Sequence, residues 1–248
     1  MVGKVEKYLL DKISKEGSIH MTLIDPEKVT PSSAIKTAQE VEYCNTAAIM
    51  VGGSTSNSGS YLEDITKALK ESVQIPIILF PGSHSGVTKY ADAIWFMSLL
   101  NSSDPYFLAG AQILGAPIIK KFGIEPLSMG YIIVGEGGTV SVVGKATPIP
   151  CNKPDLVAAH ALAAQYFGMH FVYLEAGSGV DNPIPANIVK TVKTATDLPI
   201  IVGGGIRTGE QAKEIAKAGA SIIVTGNILE ENNSKSKIHE LISSIKTK

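Results

Sequence analysis

The stretch FVYLEAGSG, residues 171–179, places an acidic residue directly before a run of small residues. Its first four residues are apolar, as expected for a buried strand, and Glu175 is the acid that follows. Gly177, Ser178 and Gly179 then offer backbone N–H groups and a hydroxyl, which are donors suited to an anion. A carboxylate repels an anion, so we expect the acid and the donors to act on different parts of one ligand.

A second donor-rich region spans residues 200–230, where two apolar runs each end in glycine. Gly203, Gly204 and Gly205 end the first run, and TGN, residues 225–227, ends the second. Glycine lets the backbone approach an anion closely and permits positive φ angles. In (β/α)₈ barrels the loops after strands seven and eight form the standard phosphate site. The pattern therefore predicts a phosphate site, with ordinary turn glycines as the alternative.

Hard oxygen ligands follow the first two apolar runs of the chain. Asp25 comes after residues 19–24, and Ser54 comes after residues 46–51. Mg²⁺ prefers one or two such groups and fills its other positions with water and substrate phosphate oxygens. Alternatively, Asp25 caps the turn that Pro26 begins, and the loop around Ser54 is an ordinary loop or a second phosphate loop.

Eight apolar, β-rich runs supply the elements that must position these residues. Most runs are almost continuously apolar, as expected for parallel strands that are covered on both faces. Strands that alternate with helices predict an α/β fold, and eight strands in 248 residues predict a (β/α)₈ TIM barrel. The predicted strands span residues 19–24, 46–51, 76–80, 91–97, 127–134, 170–175, 199–203 and 220–226. The predicted helices between and after them span residues 31–43, 60–72, 105–121, 153–168, 185–195, 208–218 and 235–246.

Three segments depart from a regular barrel. Apolar residues at helical spacing within residues 1–17 predict an extra N-terminal helix. Only PGSHSGVTKY separates the third and fourth strands, which is too short for a crossover helix, so the third helix should be shortened or missing. Residues 136–152 are a Gly- and Pro-rich insert in which we expect a small hairpin. No domain boundary is visible, so residues 1–248 are expected to form a single catalytic domain.

The composition argues against several classes of protein. A formal net charge of −1 does not favour a nucleic-acid partner. The two cysteines, Cys44 and Cys151, are too few for a disulfide framework, so a reducing cytosol is expected. The five histidines show no metal-ligand spacing. The N-terminus has no signal-peptide pattern, and the apolar runs are too short to span a bilayer. We expect a soluble, cytoplasmic protein that can still touch a membrane surface.

Five segments together resemble geranylgeranylglyceryl phosphate synthase, the archaeal ether-lipid prenyltransferase family, over essentially the whole chain. The resemblance implies a barrel with a shortened third repeat and the Mg²⁺-dependent transfer of a C20 prenyl group. The donor would be geranylgeranyl diphosphate, and the acceptor would be the 3-hydroxyl of sn-glycerol 1-phosphate. The segments are MTLIDPEK (21–28), IMVGGSTS (49–56), YLEAGSG (173–179), VGGGIR (202–207) and TGN (225–227).

The resemblance also implies roles for individual residues. Asp25 and Ser54 would bind Mg²⁺, and Glu175 would take the hydroxyl proton as a general base or only orient the glycerol hydroxyls. Arg207 is either a further phosphate ligand or a surface residue at a helix start. The residues expected to bind glycerol phosphate are Tyr173, Leu174, Glu175, Ala176, Gly177, Ser178, Gly179, Gly203, Gly204, Gly205, Thr225, Gly226 and Asn227.

The C20 chain would need an apolar trench, which the missing third helix should leave open beside strands four and five. A few of ten residues there should line it, and the rest should be ordinary core. The ten are Tyr90, Ile94, Trp95, Phe96, Leu99, Leu100, Tyr106, Phe107, Met129 and Tyr131. Nearby lysines are solvated-face residues by default, with contact to the diphosphate as the alternative. These are Lys67, Lys70, Lys120 and Lys121.

Two rival interpretations stay open at this stage. Another phosphate-binding TIM-barrel enzyme, such as a sugar-phosphate isomerase, would carry the same loops after strands seven and eight. A barrel that only binds a phosphometabolite gains nothing from Asp25 and Glu175 at strand ends, which argues against that class. As for partners, barrels of this kind associate through their outer helices, so a homo-oligomer is expected, and release of a lipid product implies peripheral contact with a membrane.

Overall fold

Eight parallel strands close into a barrel in the computed structural model, which describes residues 2–53, 59–226 and 234–246. The strands follow one another in chain order around the barrel, and β8 pairs with β1 to close it. This confirms the predicted (β/α)₈ TIM barrel. The strands are β1 (Ile19–Ile24), β2 (Ala48–Gly52), β3 (Ile77–Phe80), β4 (Ala93–Leu99), β5 (Glu125–Ile133), β6 (Phe171–Glu175), β7 (Ile200–Gly203) and β8 (Ile222–Thr225).

The described helices lie outside the barrel, apart from the first, which covers one end of it. A π-helical turn, Tyr106–Gly110, leads directly into α4, so the helix expected over residues 105–121 is present with an irregular first turn. The helices are α1 (Lys4–Glu16), α2 (Pro31–Tyr43), α3 (Ser60–Ser72), α4 (Ala111–Phe122), α5 (Gly138–Val143), α6 (Pro154–Tyr166), α7 (Ala186–Ala195), α8 (Gly209–Lys217) and α9 (Ser234–Ile245).

Two apolar layers explain why the strands are apolar on both faces. Alternate side chains, such as those of Met50 and Tyr173, fill the barrel interior. Their neighbours in sequence, such as Val51 and Leu174, pack between the barrel and the outer helices. A strand between two dry layers has no polar face. The apolar runs therefore located each strand to within two residues at both ends.

The extra N-terminal helix, α1, covers the end of the barrel where the strands begin. Val5 and Leu9 pack against the inner layer. Gly3 precedes the helix and offers no side chain to cap it. Instead, the Glu125 carboxylate at the start of β5 accepts hydrogen bonds from the backbone N–H groups of Val5 (2.7 Å) and Glu6 (2.9 Å). The prediction of this helix is confirmed.

The third repeat lacks its helix, as the sequence indicated. Residues 81–92, all of them described, run from β3 to β4 without a helical segment. The loop is tied to the next repeat instead, because His84 Nδ1 lies 2.8 Å from the Tyr106 hydroxyl. One side of the barrel mouth is therefore bounded by a loop where the regular pattern would place a helix.

The prediction of a hairpin within residues 136–152 is wrong. The segment contains the short helix α5, which begins after Gly137 and ends before Gly144. The rest of the segment pairs with other parts of the chain: Ala146 bridges to Ser102, and Ile149 bridges to Val134. Two halves that each pair elsewhere cannot pair with one another, and the sequence did not reveal these distant partners.

Candidate functional site

The predicted residues gather at one end of the barrel because parallel strands all point the same way. Asp25 follows β1, Glu175 ends β6, Gly203 ends β7 and Gly226 follows β8. Each side chain or loop thus lies at the C-terminal mouth, where barrel enzymes bind their ligands. Two predicted residues, Ser54 and Asn227, lie outside the described part of the chain.

Glu175 is buried at this mouth and is surrounded by hydrogen-bond donors. Only 7% of its surface is exposed. Its Oε1 atom accepts a hydrogen bond from the Gly177 backbone N–H at 2.7 Å, and its Oε2 atom accepts one from the Tyr131 hydroxyl at 3.2 Å. The Tyr173 hydroxyl donates to the same carboxylate. Three donors on one buried acid fix its position and orientation.

Burial raises the pKa of the Glu175 carboxyl above its ordinary value, because the charged form loses its hydration. The hydrogen bonds from Gly177, Tyr131 and Tyr173 oppose this shift, since they stabilise the carboxylate. The pKa values of both tyrosines lie well above the ordinary value, mainly because of burial and also because of the neighbouring carboxylate. Both hydroxyls therefore stay protonated and act as donors to an acid that accepts a proton more readily than a free glutamate.

An aromatic cluster holds the two tyrosines in place. The Phe80 ring stacks on the Tyr173 ring with centroids 5.6 Å apart, and Tyr131 meets Tyr173 edge to face at 5.1 Å. Gly203 on β7 lies against the Tyr173 hydroxyl, and a Cβ atom at position 203 would collide with it. Glycine at this strand end therefore makes room for a donor to Glu175, which is a role that the sequence pattern did not suggest.

The glycine loops after β6 and β7 pack tightly against one another. Gly177 has a φ of 113° and Gly204 a φ of 86°, both unfavourable for other residues. A Cβ atom on Gly204 would lie 2.7 Å from both the Glu175 Oε1 atom and the Gly177 carbonyl oxygen. The Gly177 N–H already serves Glu175, whereas Ser178 and Gly179 are exposed at the mouth. The loops thus meet at the acid, and their outer residues offer donors to a ligand.

Helix α8 begins just beyond the loop after β7. Thr208 caps this helix, because its hydroxyl accepts from the Gln211 N–H at 3.2 Å and the Gln211 side chain bonds back to the cap. Arg207 beside it donates to the Val180 carbonyl oxygen (3.2 Å) and approaches Asp181 (3.4 Å). The arginine therefore ties two loops together at the rim of the mouth.

Several predicted ligand residues do not present their side chains to the mouth. Leu174 and Ala176 belong to the outer apolar layer. The Thr225 hydroxyl is bonded to His20 Nε2 at 2.9 Å, and His20 Nδ1 meets the Thr46 hydroxyl at the same distance. Complete burial lowers the pKa of His20 to about 3, so the ring is neutral. Leu174, Ala176 and Thr225 can therefore offer a ligand only their backbone groups.

The predicted metal ligands are only partly described. Asp25 is half-buried, and its Oδ1 atom accepts from the Glu27 N–H at 3.0 Å, so the predicted capping role is present. Within the described residues, no group of three or more His, Cys, Asp or Glu side chains could hold a metal. A single carboxylate at the mouth nevertheless fits Mg²⁺, which needs one or two protein oxygens when substrate phosphates complete its shell.

An open apolar groove adjoins the acid on the side of the missing helix. Six of the ten predicted trench residues line it, namely Ile94, Trp95, Phe96, Leu99, Phe107 and Tyr131. The others, Tyr90, Leu100, Tyr106 and Met129, do not. The remaining walls come from the loop after β3, from α4 and from α5. Because Tyr131 lines the groove and also donates to Glu175, the two parts of the site are continuous.

Sequence reasoning missed how Tyr131 and His20 act. Tyr131 was expected only as an apolar wall, and His20 was not singled out at all. Tyr131 pairs with Tyr173 across β5 and β6, which brings its hydroxyl to Glu175, two residues further along β6. His20 and Thr225 meet across β1 and β8. Only the register between strands reveals either contact.

The closed parallel barrel, with its buried acid and strand-end loops at one mouth, belongs to the class of (β/α)₈-barrel enzymes. Comparison with known families gives a match over most of the chain. The model of the PcrB family matches residues 11–245, and the chain belongs to this family.

Several relatives of the chain carry the same name. Geranylgeranylglyceryl phosphate synthase from Thermofilum pendens is 57% identical, covering 94% of this chain and 91% of the relative. The protein of that name from Pyrococcus abyssi is 53% identical over 99% of both chains. The crystal structure of (S)-3-O-geranylgeranylglyceryl phosphate synthase from Thermoplasma acidophilum, in complex with its substrate sn-glycerol-1-phosphate, superposes with a TM-score of 0.93 at 42% identity. The superposition covers 99% of both chains.

Proposed function

We propose that this chain is a prenyltransferase that joins geranylgeranyl diphosphate to the 3-hydroxyl of sn-glycerol 1-phosphate through an ether bond. This is the first ether-forming step in archaeal phospholipid biosynthesis. The observation that carries the proposal is the continuity between Glu175 and the apolar groove through Tyr131. A small polar acceptor and a long apolar donor can meet there. More than 50% identity to relatives of this activity, over almost the whole chain, supports it.

Glycerol phosphate fits the side of the mouth formed by the loops after β6, β7 and β8. The exposed donors of Ser178 and Gly179 and the backbone at Gly204, Gly205 and Gly226 suit its phosphate, because neutral N–H groups hold an anion without a lysine. The three-carbon backbone then separates the phosphate from the hydroxyl at Glu175. Repulsion between the acid and the phosphate is reduced by that separation.

The diphosphate fits the opposite side of the mouth, with its prenyl chain in the groove. Asp25, together with Ser54, would hold a Mg²⁺ ion there. When bound, the ion stabilises the negative charge that develops on the departing diphosphate. The groove walls hold the prenyl chain so that its C1 carbon lies beside the glycerol hydroxyl. Reacting atoms about 3–3.5 Å apart are in position for attack.

Glu175 takes the proton that the reaction releases. The glycerol oxygen forms a bond to C1 of the prenyl group while the bond from C1 to the diphosphate oxygen breaks. The attacking hydroxyl becomes strongly acidic as its new bond forms, so a carboxylate accepts its proton without first generating an alkoxide. The hydrogen bonds from Tyr131 and Tyr173 aim the carboxylate, and its raised pKa favours proton uptake.

Transfer of label into a lipid product tests this activity. The purified chain is incubated with labelled sn-glycerol 1-phosphate, geranylgeranyl diphosphate and Mg²⁺, and the mixture is extracted with organic solvent. Label should enter the organic phase only when the diphosphate is present. Label that stays in the aqueous phase under all conditions would contradict the proposal. In that case the substrates of a sugar-phosphate isomerase, the rival barrel enzyme, would be assayed. Such an isomerase has no use for the apolar groove.

A further inference from the structure

The outer face of α4 exposes apolar side chains where a surface helix usually carries polar ones. Ile113 is 69% exposed and Leu114 is 51% exposed. Ala116 and Pro117 are exposed as well. Residues three or four apart lie on the same side of a helix, so these four residues form one continuous apolar strip. Such a strip on the surface indicates contact with another apolar body.

The strip adjoins the apolar groove at the mouth. The opposite side of α4 lines the groove through Gln112, Gly115 and Ile119. On α5, Val143 lines the groove, whereas Val142 is 78% exposed. Apolar surface therefore extends from inside the groove to the outer sides of two of its walls.

The charges on these walls have one sign. Lys120 and Lys121 lie in the last turn of α4 and are exposed on the same side as the strip. Neither α4 nor α5 contains an aspartate or a glutamate. An apolar strip with a basic end matches an anionic lipid surface, because lysine stems follow the apolar region while their ammonium groups reach the headgroups.

We propose that this docking face, formed by Ile113, Leu114, Ala116, Pro117, Lys120, Lys121 and Val142, binds the chain to the surface of a lipid bilayer with anionic headgroups. The inference rests on the proposed function, in which both the allylic diphosphate and the ether product carry a C20 chain. With the docking face in the bilayer, the C20 prenyl chain passes between the membrane and the groove without exposure to water.

A second copy of this chain is the other possible occupant of the face. Interfaces between two identical copies are mostly two-fold and self-complementary. In such an interface, α4 and α5 of one copy would offer no acid to pair with Lys120 and Lys121 of the other. The charges therefore favour anionic lipid over a second copy.

Co-sedimentation of the full chain with lipid vesicles tests the proposal. The natural chain should bind vesicles of equimolar phosphatidylglycerol and phosphatidylcholine, and the double variant Ile113→Ser, Leu114→Ser should bind them about tenfold more weakly or worse. The variant Lys120→Gln, Lys121→Gln should lose binding to these vesicles at low salt and differ little from the natural chain at high salt.

A matched control lies on α6, which does not line the groove. Leu156 and Tyr166 are also exposed there, so Leu156→Ser, Tyr166→Ser removes comparable apolar surface and should leave vesicle binding unchanged. Equal loss of binding in this control, or no binding by the natural chain, would overturn the proposal. So would a change of oligomeric state in the α4 variant by sedimentation velocity, because a second copy would then cover the face.

Two transfer assays separate this inference from the proposed function. The α4 variant should match the natural chain when the prenyl diphosphate is dispersed in detergent, and should be slower when the diphosphate is embedded in vesicles. Equal rates in both assays would count against docking. No transfer by the natural chain in detergent would instead refute the prenyltransferase activity, whatever the vesicles show.

Discussion

Glu175 shows how one buried acid is kept in a reactive state. Burial to 7% exposure raises the pKa of this carboxyl and so favours its protonated form, which cannot accept a proton. The donors from Gly177, Tyr131 and Tyr173 return part of the stabilisation that water would give to the charge. The result is a carboxylate that is more basic than one in water, although its hydrogen bonds limit the rise of its pKa.

Replacing Glu175 by glutamine removes the proton acceptor and nearly preserves its shape. We expect kcat to fall by about 10²–10⁴-fold, the usual contribution of general acid–base catalysis. The KM for glycerol phosphate should change far less, because the phosphate is held by other loops. Steady-state kinetics with both substrates measure the two effects separately.

Glu210→Gln serves as the control, since Glu210 lies in the first turn of α8 and is exposed. Its kinetics should match those of the natural chain. A near-normal kcat in Glu175→Gln would contradict the base role and leave Glu175 as an orienting group only.

The variant Tyr131→Phe tests the electrostatic balance at Glu175. It removes a donor that lowers the pKa of this carboxyl, so the pKa should rise further above its ordinary value. The base must be deprotonated to act, and kcat therefore falls as pH drops through that pKa. The acid limb of the pH profile should move to higher pH in the variant.

An exposed tyrosine provides the comparison. Tyr166→Phe removes a hydroxyl from the surface of α6 and should leave the acid limb in place. An acid limb that does not move in Tyr131→Phe, or that moves to lower pH, would show that this hydrogen bond does not control the ionisation of the base.

At the scale of elements, the mouth depends on close contact between the loops that follow β5, β6 and β7. The Gly137 N–H donates to the Ala176 carbonyl oxygen at 3.0 Å, and the Ala176 N–H donates to the Gly203 carbonyl oxygen at 3.0 Å. A Cβ atom on Gly177 would lie 2.7 Å from the carbonyl carbon of Gly137. These loops therefore form one packed unit around Glu175, and its shape requires small residues.

The variant Gly177→Ala should disturb that unit in two ways. The positive φ of 113° costs alanine about 1–2 kcal/mol, and the contact with Gly137 adds to this. We expect a lower free energy of unfolding in urea and a raised KM for glycerol phosphate.

Gly168→Ala is the matched variant, because Gly168 also has a positive φ, of 76°, but no atom lies within 4 Å of the added Cβ. It should show the backbone cost alone and an unchanged KM. Equal losses of stability in the two variants would mean that loop packing contributes nothing.

At the scale of the whole molecule, the fold could be predicted because each strand is buried on both sides. An unbroken apolar run such as residues 76–80 marks its strand directly, and β3 spans Ile77–Phe80. The absence of the third helix could also be predicted, because the segment between β3 and β4 is too short to form a helix. Glycines and acids at strand ends then located the mouth, because every parallel strand ends on the same side.

The contacts within the mouth could not be predicted in the same way. Whether Tyr131 faces Glu175 depends on how β5 and β6 are aligned, and a shift of one residue would turn the ring to the outer layer. Thr225 was expected to face a ligand, yet its hydroxyl meets His20, which lies 205 positions earlier in the chain. Composition and spacing carry no information on such alignments.

The fluorescence of Trp95 can report on the groove. This residue is the one tryptophan of the chain, it lines the groove, and its ring meets Phe171 edge to face at 5.2 Å. The indole is only 1% exposed, so a prenyl chain in the groove would pack against an already buried ring, and its emission spectrum should change when an unreactive prenyl diphosphate analogue is added. Glycerol 1-phosphate alone should leave the emission unchanged. An unchanged spectrum at a saturating concentration of the analogue would mean that the prenyl chain binds outside the groove. The protein thus reports the occupancy of its own groove without an added label.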